Sequence, residues 1–190
     1  MTAHLHFALL SRSPVASTWK RLQKLSLHFH GAPDLDLFEV IGSISGITHR
    51  HFRSVFACFI FSKIVQQIIG GSDRVESYKN AINYINVFAS EQEMDLREVN
   101  RFKRILNGSL VNASEDSIGS SGYVLHTLEA SLWCFLTTSS YKEAVLKAVN
   151  LGEDTDTTAC VTGALAGLYY GVDEIPDEWK STIARSEDID

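Results

Sequence analysis

Leu151-Gly152-Glu153-Asp154-Thr155-Asp156-Thr157-Thr158 runs without a break into Ala159-Cys160-Val161-Thr162-Gly163-Ala164-Leu165-Ala166-Gly167-Leu168-Tyr169-Tyr170-Gly171. Two carboxylates and three hydroxyls fall within five residues, Asp154 to Thr158, and a small-residue helix follows directly. Asp is a poor helix former and a good N-cap, so the acidic cluster is predicted at the mouth of that helix rather than in its body. Carboxylates spaced i, i+2 with a following Thr suit a hard cation such as Mg²⁺, which takes oxygen ligands and keeps waters. The structural alternative is capping, an Asp or Thr oxygen satisfying free N–H groups at the helix start. Gly163, Gly167 and Gly171 recur every four residues with Ala164 and Ala166 between them. One face of the helix is nearly bare, so a neighbouring helix or a ligand can approach its backbone.

Working outward, the pattern is helical nearly throughout. Ile44 to Ile69 reads as one long apolar helix (Ile47, Phe52, Val55, Phe56, Phe59, Ile60, Ile64, Ile68) stopped by Gly70-Gly71. Ser72 or Asp73 caps the next, whose stripe is Val75, Tyr78, Ala81, Ile82, Ile85 and Phe88. Leu96, Val99, Phe102 and Leu106 mark a third, and Asn107 to Gly122 reads as a polar loop. Tyr123 to Leu136 is apolar and helical, and Ser140-Tyr-Lys-Glu143 is a capping box opening Ala144 to Leu151. Asp154 to Tyr170 is the glycine-studded helix, and Pro176 is placed at the first position of a short segment reaching Trp179. No run alternates with period two. The expectation is an all-α fold of about six helices in one domain. The tail from Ser186 is expected to fray.

The 190 residues carry 45% hydrophobic and 21% charged side chains and a net charge of −6, values of a globular chain. The basic residues are scattered, and Lys20-Arg21 and Arg101/Lys103/Arg104 read as solvated helix faces, so no nucleic-acid partner is expected. Cys58, Cys134 and Cys160 each sit in an apolar run and read as buried thiols of a reducing compartment. The N-terminus lacks the basic and apolar regions of a signal peptide, and Ala159–Val172 is too short for a bilayer, so no membrane partner is expected and the default location is cytoplasmic. Asn107-Gly-Ser109 and Asn112-Ala-Ser114 match the glycosylation sequon without meaning there.

Three stretches together resemble the ADP-ribosylglycohydrolase family, that of the dinitrogenase-reductase-activating enzyme and the ADP-ribosyl-acceptor hydrolases. Ser45-Gly-Ile-Thr48-His49 resembles its S-x-x-T-H segment. Gly122-Tyr123-Val-Leu-His-Thr-Leu128-Glu129-Ala130-Ser-Leu-Trp133 is similar to its G-Y-V-x-x-T-L-x-A-A-L-W. Ala148-Val-Asn-Leu-Gly-Glu-Asp154-Thr-Asp156-Thr157, continuing to Tyr170-Gly171, is the most specific. The resemblance runs from about His30 to Trp179. It implies an all-α fold with a two-metal Mg²⁺ centre. On it Asp154, Asp156 and Thr157 fall on metal-ligand positions, and the two carboxylates serve the chemistry. His49 falls where ADP-ribose is contacted, with Gly122 and Tyr123 near the same cleft. The implied reaction is Mg²⁺-dependent hydrolysis of the bond between ADP-ribose and an acceptor, a protein side chain or a small conjugate, through a transition state with oxocarbenium character.

Three family segments have no counterpart here: the Gly-Asp-rich G-D-A-x-G opening, the Thr-Asp-Asp-Thr cluster that supplies the other half of the metal ligands, and the N-G-x-x-M-R segment expected just upstream of the His30 region. The expectation is therefore a C-terminal portion over 30–190, behind an unmatched and poorly ordered leader over 1–29. Half a core would leave apolar faces such as Phe52/Phe56/Phe59 partly unburied and prone to oligomerise. Half a metal site would bind Mg²⁺ weakly, and a non-catalytic fragment or pseudoenzyme with a residual ADP-ribose-binding surface is the alternative function. Asp154-Thr-Asp156-Thr-Thr158 also matches the D-x-D-x-T of haloacid-dehalogenase-type phosphatases, but a helix precedes it here instead of a buried strand. An EF-hand lacks its Gly and its bidentate Glu.

The remaining polar residues read as structural. His4, His6, His28 and His30 belong to the N-terminal arm, His51 adjoins a helix face, His126 packs or caps, and Trp133, Phe135 and Tyr141 belong to the core. Glu129, inside an apolar run, must be paired or face the cleft unless its helix turns it to solvent.

Overall fold

A computed structural model describes residues 33–47 and 49–182. The 1–29 leader, Thr48 and the tail from Ser186 lie outside the described residues. The chain is all-α: the described residues form α1 (Asp34–Ser45), α2 (Phe52–Ile69), α3 (Arg74–Glu91), the short α4 (Leu96–Val99) and α5 (Lys103–Leu106), α6 (Val124–Leu136), α7 (Tyr141–Asn150), α8 (Thr155–Tyr170) and α9 (Asp177–Ser181), with no strand among them.

The long helix expected from Ile44 is two helices. The Ser45 hydroxyl donates to the His49 carbonyl at 3.1 Å, and the His49 N–H donates to the Ser45 carbonyl at 2.7 Å. Such side-chain bonds compete with the helix ladder. His51 is extended (φ −122°, ψ 140°) and its ring accepts from the Arg53 N–H, so it caps α2. Asp73, rather than Ser72, caps α3. The 96–106 helix is broken by a 3-10 turn, Asn100–Phe102, whose tighter winding accompanies a fully buried Phe102 edge-on to Phe56 at 5.0 Å. In the capping box Ser140 Oγ accepts from Glu143 N, while Glu143 accepts from Ser139, one residue earlier than the motif predicts. Pro176 stands one position before α9 rather than within it.

Helices α2, α6 and α8 pack on one another; α1 and α3 flank α2, and α7 lies along α8. Tyr141 of α7 lies over Gly167 of α8, where an added Cβ would sit 3.7 Å from its ring. The small-residue face of α8 thus receives a helix, as its spacing predicts. The apolar stripe of α2 is not left open. Phe56 and Phe59 are fully buried and Phe52 half-buried, contrary to the expectation for a partial core. Phe59 meets Phe38 of α1 at 5.3 Å and Phe88 of α3 at 4.8 Å, so two sequence-distant helices cover it. Cys58 and Cys134 are buried, and burial pushes both thiols up to about 12. Cys160 is only half-buried, because α8 leaves its side partly open.

Phe59→Ala removes the aromatic centre of this cluster. The expected cost is about 3–5 kcal/mol of unfolding free energy, read by denaturant titration. A loss below about 1 kcal/mol would mean that the face is not covered.

Candidate active site

Hydrogen bonds link the start of α6 to the start of α2 on one side and to the turn before α8 on the other. The turn before α8 is tightly wound: Gly152 (φ 83°) and Glu153 (φ 54°) are both left-handed, and Glu153 has no glycine's freedom there. That turn delivers Asp154 against the segment preceding α6. The Asp154 N–H donates to the Ser120 carbonyl at 3.1 Å, and Ser120 Oγ lies 3.3 and 3.0 Å from the Leu151 and Gly152 carbonyls. Gly122 completes the contact: a Cβ there would fall 2.9 Å from Asp154 Oδ2, so only a residue without one lets the carboxylate stand where it does.

Tyr123 occupies the N-cap position of α6. Its hydroxyl accepts from Arg53 Nη1 at 3.3 Å, which joins this end of α6 to the start of α2. Arg53 also grips Glu98 with two bonds, 2.6 and 2.8 Å. The guanidinium holds the Glu98 carboxyl down to about 2, and Glu98 in turn raises Arg53. His49 is exposed in the link between α1 and α2, four residues before Arg53.

Asp154 stands at the N-cap of α8, where the N–H and the hydroxyl of Thr157 both favour its ionised carboxylate, so it serves the helix start as well as the acidic pair. Burial raises its pKa, the adjoining Asp156 carboxylate raises it further, and the Thr157 hydroxyl works in the other direction. Two carboxylates held together at cost are a natural seat for a cation. Asp156 is exposed, Asp154 half-buried and Thr157 buried. All three offer hard oxygen, the donor type that Mg²⁺ prefers, so the cluster fits that ion in chemistry. It fits half of the sphere: among the described residues no group of three or more His, Cys, Asp or Glu converges on a metal position.

The comparisons with known proteins bear on this geometry. The sequence model of the ADP-ribosylglycohydrolase family matches residues 21–190. The chain belongs to the ADP-ribosylglycohydrolase family. It is 33% identical over 146 residues to the ADP-ribosylarginine hydrolase Tri1 of Pseudomonas putida (strain GB-1), covering 76% of this chain and 36% of that protein. It is 30% identical to the ADP-ribosyl-[dinitrogen reductase] glycohydrolase of Rhodospirillum rubrum over 72% of this chain and 40% of that one. A solved ADP-ribosylglycohydrolase-related protein complex superposes with a TM-score of 0.73 and 25% identity, covering 95% of this chain and 61% of its own. The chain thus spans well under half the length of these two ADP-ribosylglycohydrolase relatives.

Of the residues singled out by sequence, the structure brings Gly122 directly onto Asp154, with Tyr123 beside it and Asp156 and Thr157 in the next turn. Thr48 is outside the described residues. Sequence reasoning missed Arg53, Glu98 and Ser120. None sits in a motif, and the one local signal was Ser120-Ser121-Gly122 as a turn. Glu129 is buried, 6% exposed, rather than turned to solvent; its nearest cation is Arg104 at 3.9 Å. Burial raises its pKa, and Arg104 and His126 oppose the rise.

Two outcomes follow from this geometry. Gly122→Ala forces the Asp154 carboxylate aside while leaving the fold within about 0.5 kcal/mol of wild type; Mg²⁺ affinity, read by calorimetry, should fall. The Arg53–Glu98 pair sets an acid limit. The folded Glu98 pKa lies below the unfolded value, so its contribution is complete above about pH 4.3 and is lost as pH falls toward about 2. In melts over that window, wild type should lose stability more steeply than Glu98→Gln.

Proposed function

We propose that this chain supplies the Asp-Thr-Asp-Thr half of a Mg²⁺-dependent ADP-ribosyl hydrolase, cleaving the glycosidic bond between ADP-ribose and a modified protein or small conjugate. The observation that carries this reading is the Asp154–Asp156 pair, held at an electrostatic cost against Gly122. Asp154, Asp156 and Thr157 would hold the ion. When bound, Mg²⁺ neutralises charge and lowers the pKa of a coordinated water. The carboxylates face a developing positive charge at the ribose and stabilise it. Tyr123, held by Arg53, and the exposed His49 are proposed to contact the ADP-ribose. The names of the relatives support an ADP-ribosylated substrate, ADP-ribosylarginine in one case and dinitrogen reductase in the other.

A second reading has one observation in its favour, that only two acidic side chains and a Thr meet among the described residues. Under it the chain retains an ADP-ribose-binding surface without turnover. The deciding assay is release of ADP-ribose from an ADP-ribosylated protein with Mg²⁺ present. Wild type should turn over, and Asp154→Ala with Asp156→Ala should lower the rate by about 10²-fold or more. Calorimetric binding of ADP-ribose without release selects the second reading. Neither binding nor release overturns both.

A further inference from the structure

His126 is a residue that periodicity assigns to packing, yet its surroundings are specific. It lies one turn into α6, and its ring is the point on which the preceding segment folds. The Ser121 hydroxyl stands 2.7 Å from His126 Nδ1. The Tyr123 ring meets the imidazole edge-on, with centroids 5.2 Å apart and planes at 88°. Gly119 passes so closely that a Cβ on it would fall 3.2 Å from both Cγ and Nδ1 of the ring. One half-buried imidazole therefore touches residues 119, 121 and 123, the alternate positions of one short segment. The positions between them, 120 and 122, are the two that touch the Asp154 turn, through the Ser120 carbonyl and the bare Gly122 Cα. The segment is thus clasped on one side by His126 and applied on the other to the acidic pair.

We infer that His126 is a positioning residue of the candidate site: through Ser121 Oγ, Gly119 and the Tyr123 ring it sets the 119–123 segment, and through that segment the place of Asp154. Its consequence for ligand rests on the ADP-ribose reading above. Its consequence for the segment does not.

The Tyr123 N–H donates to Ser121 Oγ at 3.4 Å, and the same hydroxyl meets His126 Nδ1 as donor or as acceptor according to the ring's tautomer. Asn brings a carbonyl and an amide N–H to a similar reach and serves either direction; Ala offers neither. The far end of the segment is held separately, by Arg104 donating to the Ser117 carbonyl at 2.7 Å. Loss of His126 should therefore free the stretch between two anchors without unravelling the loop as a whole.

The test uses the whole chain. Backbone amide spectra of wild type, His126→Ala, His126→Asn and Ser121→Ala report the segment directly, and titration with ADP-ribose in Mg²⁺ reports the site. The expected result is that Gly122 and Asp154 amides move in His126→Ala and return toward wild type in His126→Asn, while amides in the middle of α2 stay put. The His126 Nδ1 signal should show a hydrogen bond in wild type and lose that signature in Ser121→Ala. The ADP-ribose Kd should rise about tenfold in His126→Ala and recover in His126→Asn. His126→Ala with Ser121→Ala should be no weaker than the worse single change, since both break one interaction. Gly119→Ala, which pushes the ring without removing any polar atom, should shift the same amides. Unmoved Gly122 and Asp154 amides in His126→Ala overturn the inference. So does a change spread through α2 and α8 that Asn fails to rescue, which marks a general loss of fold. If wild type binds no ADP-ribose, the functional reading falls and the amide arm still decides the role of His126.

Discussion

The contact between the Ser120–Gly122 segment and the turn before α8 holds the candidate site together. It consists of one backbone bond from Asp154 to Ser120, a Ser120 hydroxyl beside two carbonyls, and a glycine with no side chain facing a carboxylate. The polar atoms on both sides find partners in each other, which a buried junction of two irregular segments requires. Without it, the start of α6 and the start of α8 would be separate surface features. With it, an acidic pair, a tyrosine and an arginine-bound carboxylate share one end of the bundle.

That end is built against local stability. Two carboxylates stand together, one of them half-buried and raised in pKa. Glu153 sits in the left-handed region at the residue just before. Each feature costs free energy that the rest of the fold must supply, and strain of this kind gathers where function demands a fixed geometry. The supply is visible. Phe59 lies between Phe38 and Phe88, Phe56 against Phe102, and Tyr141 over the glycine face of α8. Burial of large apolar side chains at roughly 1.5–3 kcal/mol each exceeds what one strained turn takes back.

Charged groups inside the bundle are paired to differing degrees. Lys63 is only 7% exposed, and its ammonium reaches Asp34 at 2.7 Å, tying the start of α1 to the middle of α2. Glu129, with Arg104 at 3.9 Å, is less well matched, and its raised pKa records the shortfall. Arg104 also binds the loop through Ser117, so this basic residue, which reads as surface charge in the sequence, is part of the support behind the 119–123 segment.

Helicity, most helix positions and the acid pair at the mouth of α8 were legible in the chain itself, as was the family, carried by three short motifs. These are local properties: propensity, capping and periodicity act among residues within a turn or two of each other. The break between α1 and α2 was harder: the apolar stripe continues across it, and the Ser45–His49 bonds and the extended His51 cap are seen only in the folded chain. Burial of Phe56, Phe59 and Glu129, the grip of Arg53 on Glu98 and the closure of Ser120 on Asp154 were decided only in three dimensions. Each joins residues that chain order holds far apart, 45 positions for the Arg53–Glu98 pair, and no local pattern encodes which distant segment will cover a face or satisfy a charge.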